Sequence, residues 1–220
     1  VKIISVPLWD AARCAEVAKT VKRHKELWID RGGFFTIGAA TYQDAIEDYV
    51  EVAHDYNCHI AVLFGQELIE VMFLIEELLD IDVVNHHDTG LPSFHIFDAR
   101  ASGMVGHPHI DEPHLRVDWG QEVVDTFSFT VLLEAPESGA GMDVWPNHTD
   151  AEVDAFVASG ELPEPVYMPY TLGELVIHDG LTPHRIANPA KDYAIRVGEH
   201  RITMQGHGAT LANGETCVYF

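Results

Sequence analysis

The chain has 220 residues, 47% of them apolar and 22% charged, which suits one folded domain with a substantial core. Thirteen Lys and Arg against 35 Asp and Glu leave a formal charge of −22, so nucleic-acid phosphates and anionic membranes are repelled and neither is an expected partner. Cys14, Cys58 and Cys217 lie far apart with no Cys-x-x-Cys spacing, which argues against a disulfide framework or zinc knuckle and fits a reducing, cytoplasmic setting.

Residues 1–7 lack the basic region, apolar run and small-residue cleavage site of a secretory signal. Asp10 is placed to cap a first helix that runs toward Trp28, with Ala15, Ala18 and Val21 at helical spacing and Arg31-Gly32-Gly33 ending it. Thr41 precedes a second predicted helix, with Ala45, Tyr49, Val52 and Ala53 on one face. Asn57 or Cys58 opens a third, which fades near Asp80-Ile81-Asp82. Its most apolar part, Ile60 to Leu79, carries Glu67, Glu70, Glu76 and Glu77, so it reads as a buried helix rather than a membrane span.

After Gly90-Leu91-Pro92 the texture turns to short β-prone runs. Strands are predicted at 94–97, 127–133, 144–145, 174–178, 193–197 and 201–205, punctuated by Gly, Pro and Asn clusters such as 135–141 and Asn188-Pro189. Residues 151–165 read as a partly helical insertion. Many short strands at fairly even spacing point to a sandwich or jelly roll. The expected class is α+β: a single domain over 1–220, with 1–90 a mainly helical support and 91–220 a double-stranded β-helix (jelly-roll) catalytic core.

The chemistry concentrates at His109-Ile110-Asp111. Residues two apart on a strand share a side, so His109 and Asp111 can reach one metal. Nitrogen plus carboxylate oxygen suits Fe(II) better than Ca(II), which prefers all-oxygen sites, or structural zinc, which usually wants Cys. A third ligand must come from elsewhere in the sheet. His184, 75 residues on in Thr182-Pro183-His184-Arg185, follows a strand and a turn; His178, inside that strand, competes with it. Two imidazoles and one carboxylate occupy one face of an octahedral ion and leave positions open for a bidentate co-substrate and O2.

His-x-Asp alone is a weak signal in a chain with 14 histidines. The ordered set is stronger: a β segment, His-x-Asp, a glycine-rich turn, Gly173-Glu174-Leu175-Val176-Ile177, His184, then Arg201-Ile202-Thr203 17 residues later. Over roughly residues 94–206 this resembles the Fe(II)/2-oxoglutarate-dependent dioxygenases. The resemblance implies His109, Asp111 and His184 as catalytic metal ligands, with Fe(II), 2-oxoglutarate and O2 as cofactor and co-substrates. It implies Arg201 for the far carboxylate of 2-oxoglutarate, because a planar, permanently charged guanidinium pairs with carboxylate in bidentate fashion. Arg196 is the rival; Arg-x-Thr matches the family pattern. Thr203 on the same strand face, and Ser128 and Thr130 on the strand predicted at 127–133, are the expected hydroxyls at the co-substrate, although plain strand alternation also accounts for Ser128 and Thr130. Family members that halogenate replace the carboxylate by a small residue, so Asp111 favours hydroxylation.

The expected substrate is a small molecule, since no long insertion is available to clasp a polymer. Segments 34–42 and 205–208 faintly resemble small oxygenases that act on free amino acids. Arg100, Arg116, Trp145 and Asn147 are the candidate substrate contacts, Trp145 reading first as a core residue, and 115–121 is a candidate lid. A monomer or homodimer is expected. Alternatives are a hydroxylase of protein side chains, a cupin-like metal enzyme that does not use 2-oxoglutarate, and a non-catalytic binding jelly roll.

Overall fold

A computed structural model describes residues 3–101, 106–187 and 194–220. β1 (Ile4–Pro7) leads into α1 (Ala11–Arg23), which starts where Asp10 Oδ1 accepts a hydrogen bond from the Arg13 amide at 2.8 Å. α1 stops five residues short of Trp28, because Trp28 opens a strand: β2 (Trp28–Asp30) pairs with β3 (Phe35–Ile37). Then comes α2 (Ile46–Leu79), 34 residues long. The sequence predicts two helices here, broken near Asn57. The helix instead runs on, interrupted only by non-helical torsions at Phe64, and ends at Asp80 in the left-handed conformation.

By length and composition α2 could cross a membrane. One face of it, however, packs into the core through Ile60, Phe64, Leu68, Val71 and Ile75, as the sequence leads one to expect. The opposite face leaves Val62, Ile69 and Phe73 exposed, which the expectation of a buried helix missed.

The rest of the chain is mostly strand. β4 (Val83–Asn85) and β5 (Ser93–Phe97) are followed by the long β6 (Val123–Glu134) and by β7 (Gly141–Val144). The insertion holds α3 (Asp150–Ser159), opened by a reciprocal Thr149/Glu152 cap. β8 (Val166–Pro169), β9 (Glu174–His178), β10 (His184–Ala187), β11 (Arg201–Leu211) and β12 (Thr216–Tyr219) complete the fold. The strand predicted at 193–197 is not formed over 194–197. Its first residue, Tyr193, and the Asn188-Pro189 turn lie outside the described residues.

Among the described residues the strands make two sheets. The larger has nine, in the order β1-β9-β6-β11-β5-β3-β2, with β12 bridging β11 and β4; β12–β4 is its parallel pair. The smaller is β10-β7-β8, all antiparallel. The large sheet takes three strands, β1 to β3, from the first third of the chain, so that third supplies more than helices.

Alternation along the central strands sorts the side chains. Phe129, Val131 and Leu133 of β6, Leu175 and Ile177 of β9, and Ile202 and Met204 of β11 pack with α1 and α2 in one core. Each fully buried side chain of this size contributes about 1.5–3 kcal/mol. The intervening positions, Ser128 and Thr130, His178, and Arg201, Gln205 and His207, line a cavity on the other side. Met142, His184 and Ile186 of the small sheet line it too. The cavity lies between the two sheets.

Candidate metal centre

His109 and His184 are clamped together by their backbones: each amide donates to the other's carbonyl, both at 2.9 Å. Asp111 is tied to the same neighbourhood by its amide, which donates to the Gly180 carbonyl at 2.8 Å. The rings are oriented alike. His109 Nδ1 lies 2.8 Å from the His107 carbonyl and His184 Nδ1 2.8 Å from the Thr182 carbonyl. A carbonyl only accepts, so each Nδ1 carries a proton, and the ring in its neutral form presents the lone pair of Nε2. Those Nε2 atoms face Asp111, at 3.7 Å from Oδ1 for His109 and 3.4 Å from Oδ2 for His184. One ligand atom from each of the three residues lies within 4.8 Å of the others. Two such nitrogens and a carboxylate oxygen are a donor set that fits Fe(II).

The electrostatics bind the trio to its surroundings. Burial opposes charge on Asp111, yet His184, by its charge and hydrogen bond, with help from His207 and His178, holds the carboxyl well below its usual range. Burial likewise works against a charged His184, and Asp111 outweighs it, raising the imidazole above its ordinary value. Burial pushes His178 down to about 4 and His95 down to about 3, with further lowering from His184 and from Arg201 respectively.

The trio lines a cavity of about 690 Å³. Arg201 stands in the same wall, 4% exposed, its guanidinium 5.8 Å from the Phe97 ring and 5.5 Å from the Tyr170 ring. Thr130 lines the cavity beside Tyr170. Thr203 shares the strand face of Arg201, but its hydroxyl bonds to Gln205 Oε1 at 3.2 Å and it is absent from the cavity wall. The rivals stand elsewhere. His178 is in the wall next to His184, with ring centroids 4.9 Å apart, yet it is outside the trio and its Nδ1 accepts from the Gly180 amide at 3.1 Å. Arg196 is exposed and paired with Glu137.

Of the four candidate substrate contacts only Arg116 lines the cavity. Arg100 is drawn away by acids: it pairs with Asp30 at 2.9 Å and Asp98 at 3.2 Å and lies over the Phe35 ring. Trp145 is 1% exposed; its indole N–H donates to the Pro163 carbonyl at 2.8 Å and Arg185 covers its ring. Asn147 is exposed in the turn before α3 and is not in the wall. In the candidate lid, Trp119 packs on Tyr219 rather than facing the cavity.

The sequence reading missed two arrangements. Tyr42 and His95 are hydrogen-bonded to one another in the cavity wall. His207 reaches Asp111 through Ser128. The one available signal was alternation, which puts Ser128 and His207 on the cavity faces of β6 and β11.

No protein-family model matches the sequence, and no curated protein matches it significantly. Solved structures do match. An N-substituted L-amino acid dioxygenase from Burkholderia ambifaria, in complex with α-ketoglutarate, superposes with a TM-score of 0.63 at 12% identity, over 100% of this chain and 87% of that one. AviO1 from Streptomyces viridochromogenes gives 0.53 at 18% identity, over 96% and 90%. HygX from Streptomyces hygroscopicus, with nickel and 2-oxoglutarate bound, gives 0.51 at 13% identity, over 94% and 83%. The chain has the fold of the 2-oxoglutarate/Fe(II) oxygenases.

Proposed function

We propose that this chain is an Fe(II)- and 2-oxoglutarate-dependent oxygenase that hydroxylates an unactivated C–H bond of a small molecule, a free amino acid being the favoured class. The observation that carries the proposal is the convergence of His109, Asp111 and His184, with Nε2 of both rings freed for a cation, on a cavity that also holds the Arg201 guanidinium. A volume of about 690 Å³ is in the range of small-molecule sites. We take the two sheets as the walls of a jelly roll and the chain as one domain.

In this reading His109, Asp111 and His184 hold Fe(II). Bound metal and 2-oxoglutarate supply the oxidising power, through O2 activation coupled to decarboxylation of the 2-oxo acid. The chain's own part is placement. The carbonyls of His107 and Thr182 fix the two tautomers, Ser128 fixes the carboxylate, and Arg201 pairs with the far carboxylate of 2-oxoglutarate, with Thr130 offering a hydroxyl nearby. Phe34, Phe97 and Met142 in the wall keep water from the reacting carbon.

Anaerobic titration with Fe(II) and then 2-oxoglutarate tests the reading. A visible charge-transfer band is expected with both present. Arg201→Ala is expected to abolish 2-oxoglutarate binding and leave metal binding intact. Equal 2-oxoglutarate affinity in that variant would favour a cupin-like enzyme in which Arg201 is structural.

A further inference from the structure

Three arginines line the cavity, and two are engaged. Arg201 lies between the Phe97 and Tyr170 rings. Arg185 is paired with Asp143, Nε at 3.0 Å and Nη2 at 2.9 Å, and lies over Trp145. Arg116 differs. Among the described residues its guanidinium makes one hydrogen bond, from Nη2 to the backbone carbonyl of Asp44 at 2.9 Å, and no ion pair. Lys19, Arg23 and Lys25 also make no ion pair, but they are exposed on the surface; Arg116 is half-buried in the cavity wall.

The local structure keeps a carboxylate from Arg116. The side chain of Asp44, the residue Arg116 touches, is committed elsewhere. Its Oδ1 takes Arg31 Nη1 at 2.6 Å, and its Oδ2 takes Arg31 Nη2 at 2.9 Å and the Ala40 amide at 2.7 Å. Asp44 thus offers Arg116 only a carbonyl, which steers the guanidinium and leaves its charge uncompensated. Arg116 closes the short helical turn over 113–116 that follows Asp111, and both residues line the cavity. A group held at Arg116 keeps the rest of its molecule in the same space as the metal ligands.

We infer that Arg116 anchors a carboxylate of the primary substrate, an inference that rests on the proposed oxygenase reading. A guanidinium with one nitrogen committed still offers an N–H pair to a planar carboxylate. A singly charged group matches a single uncompensated cation. A phosphate dianion would bring a second negative charge into a cavity already lined by Asp111 and Glu112.

The test uses the full chain loaded anaerobically with Fe(II) and 2-oxoglutarate. The band formed before any addition tests the oxygenase reading alone. The loaded protein is then titrated with the standard amino acids and their N-acetyl derivatives, each as free acid and as primary amide. At least one free acid is expected to perturb the band and to bind more tightly than its amide. Arg116→Gln is expected to weaken that acid roughly 10- to 100-fold, as loss of a charge-assisted pair does, to leave the amide unchanged, and to keep the 2-oxoglutarate band. Arg116→Lys, which retains the charge without the fork, should recover part of the loss and guards against misfolding of the first variant. If the band never forms, calorimetry of the same acids and amides on metal-free protein reads the same preference, so the two ideas fail separately. The inference is overturned if no free acid binds, if acid and amide bind alike, or if Arg116→Gln binds the acid as the unsubstituted chain does.

Discussion

Ser128 Oγ lies 2.6 Å from Asp111 Oδ2 and 3.0 Å from His207 Nδ1. A hydroxyl has one proton and an ionised carboxylate only accepts, so the serine proton goes to Asp111 and His207 Nδ1–H donates to the serine. This chain of bonds turns the carboxylate before any cation arrives. Partners of this kind are typically worth 10- to 100-fold in metal affinity. Ser128→Ala is therefore expected to weaken Fe(II) binding by roughly that factor, and Ser128→Thr, which keeps the hydroxyl, to lose much less. Competition with a chelator measures both. Unchanged affinity in Ser128→Ala would show that the carboxylate needs no such help.

Acid should destabilise the protein earlier than its carboxylates alone would. His95 and His178, each 6% exposed, are held down to about 3 and about 4. In the unfolded chain both take up protons below about 6.5. Between about 6.5 and about 4 the unfolded state therefore binds more protons, and stability falls with falling pH by about 1.4 kcal/mol per pH unit for each ring. His184, shifted up, does not offset this, because below about 6.5 it is protonated in both states. Urea unfolding of the metal-free protein across that window gives the slope, to which His86, His109 and His207, also shifted down, contribute; His95→Gln should remove one ring's share, about 1.4 kcal/mol per pH unit. A flat profile would mean that these rings gain protons without unfolding.

The Arg31–Asp44 pair is buried on both sides, with side chains 7% and 13% exposed. Removing one partner strands the other charge. Asp44→Asn is expected to cost about 3–5 kcal/mol of unfolding free energy, far above a surface pair. A loss below about 1 kcal/mol, the range of exposed pairs, would mean that water reaches Arg31.

The trio was legible because its signals are local: His-x-Asp, the short apolar run Leu175-Val176-Ile177 of β9, and a histidine just past the turn that follows it. Arg201 opens a strand whose alternation, Arg201 and Gln205 out and Ile202 and Met204 in, is plain in the sequence. The Tyr42–His95 bond joins residues 53 apart, and no periodicity encodes such a pairing. Arg100 was misjudged because an acid two residues back, Asp98, and a distant one, Asp30, compete for it. Trp145 takes its core reading and not the substrate one, because position after a glycine-rich turn does not say which way a ring points; the Pro163 carbonyl in the following insertion takes its N–H. The break predicted near Asn57 is absent because Asn57 works from within the helix, its side chain donating to the Thr89 carbonyl and accepting from the Leu91 amide, while Ala53 and Ile60 on either side of it are fully buried; the helix is interrupted at Phe64 instead.

Gly180 ties the backbone to the metal site. It holds φ at +70°, its carbonyl accepts from the Asp111 amide and its amide donates to His178 Nδ1. A Cβ there would stand 3.1 Å from Ser128 Oγ and 3.2 Å from Asp111 Cβ, so Gly180→Ala presses on the ligand and on its support at once. The left-handed backbone alone costs about 1–2 kcal/mol for a residue with a side chain. Gly32 separates the two effects, since it holds φ at +84° with nothing within 4 Å of its added Cβ. Both alanine variants should lose stability in urea, Gly32→Ala by the backbone cost alone and Gly180→Ala by more. Only Gly180→Ala should also lose Fe(II) affinity, because only there does the new methyl group displace Asp111. Equal metal binding by the two variants would mean that the Asp111 carboxylate is placed by something other than this turn.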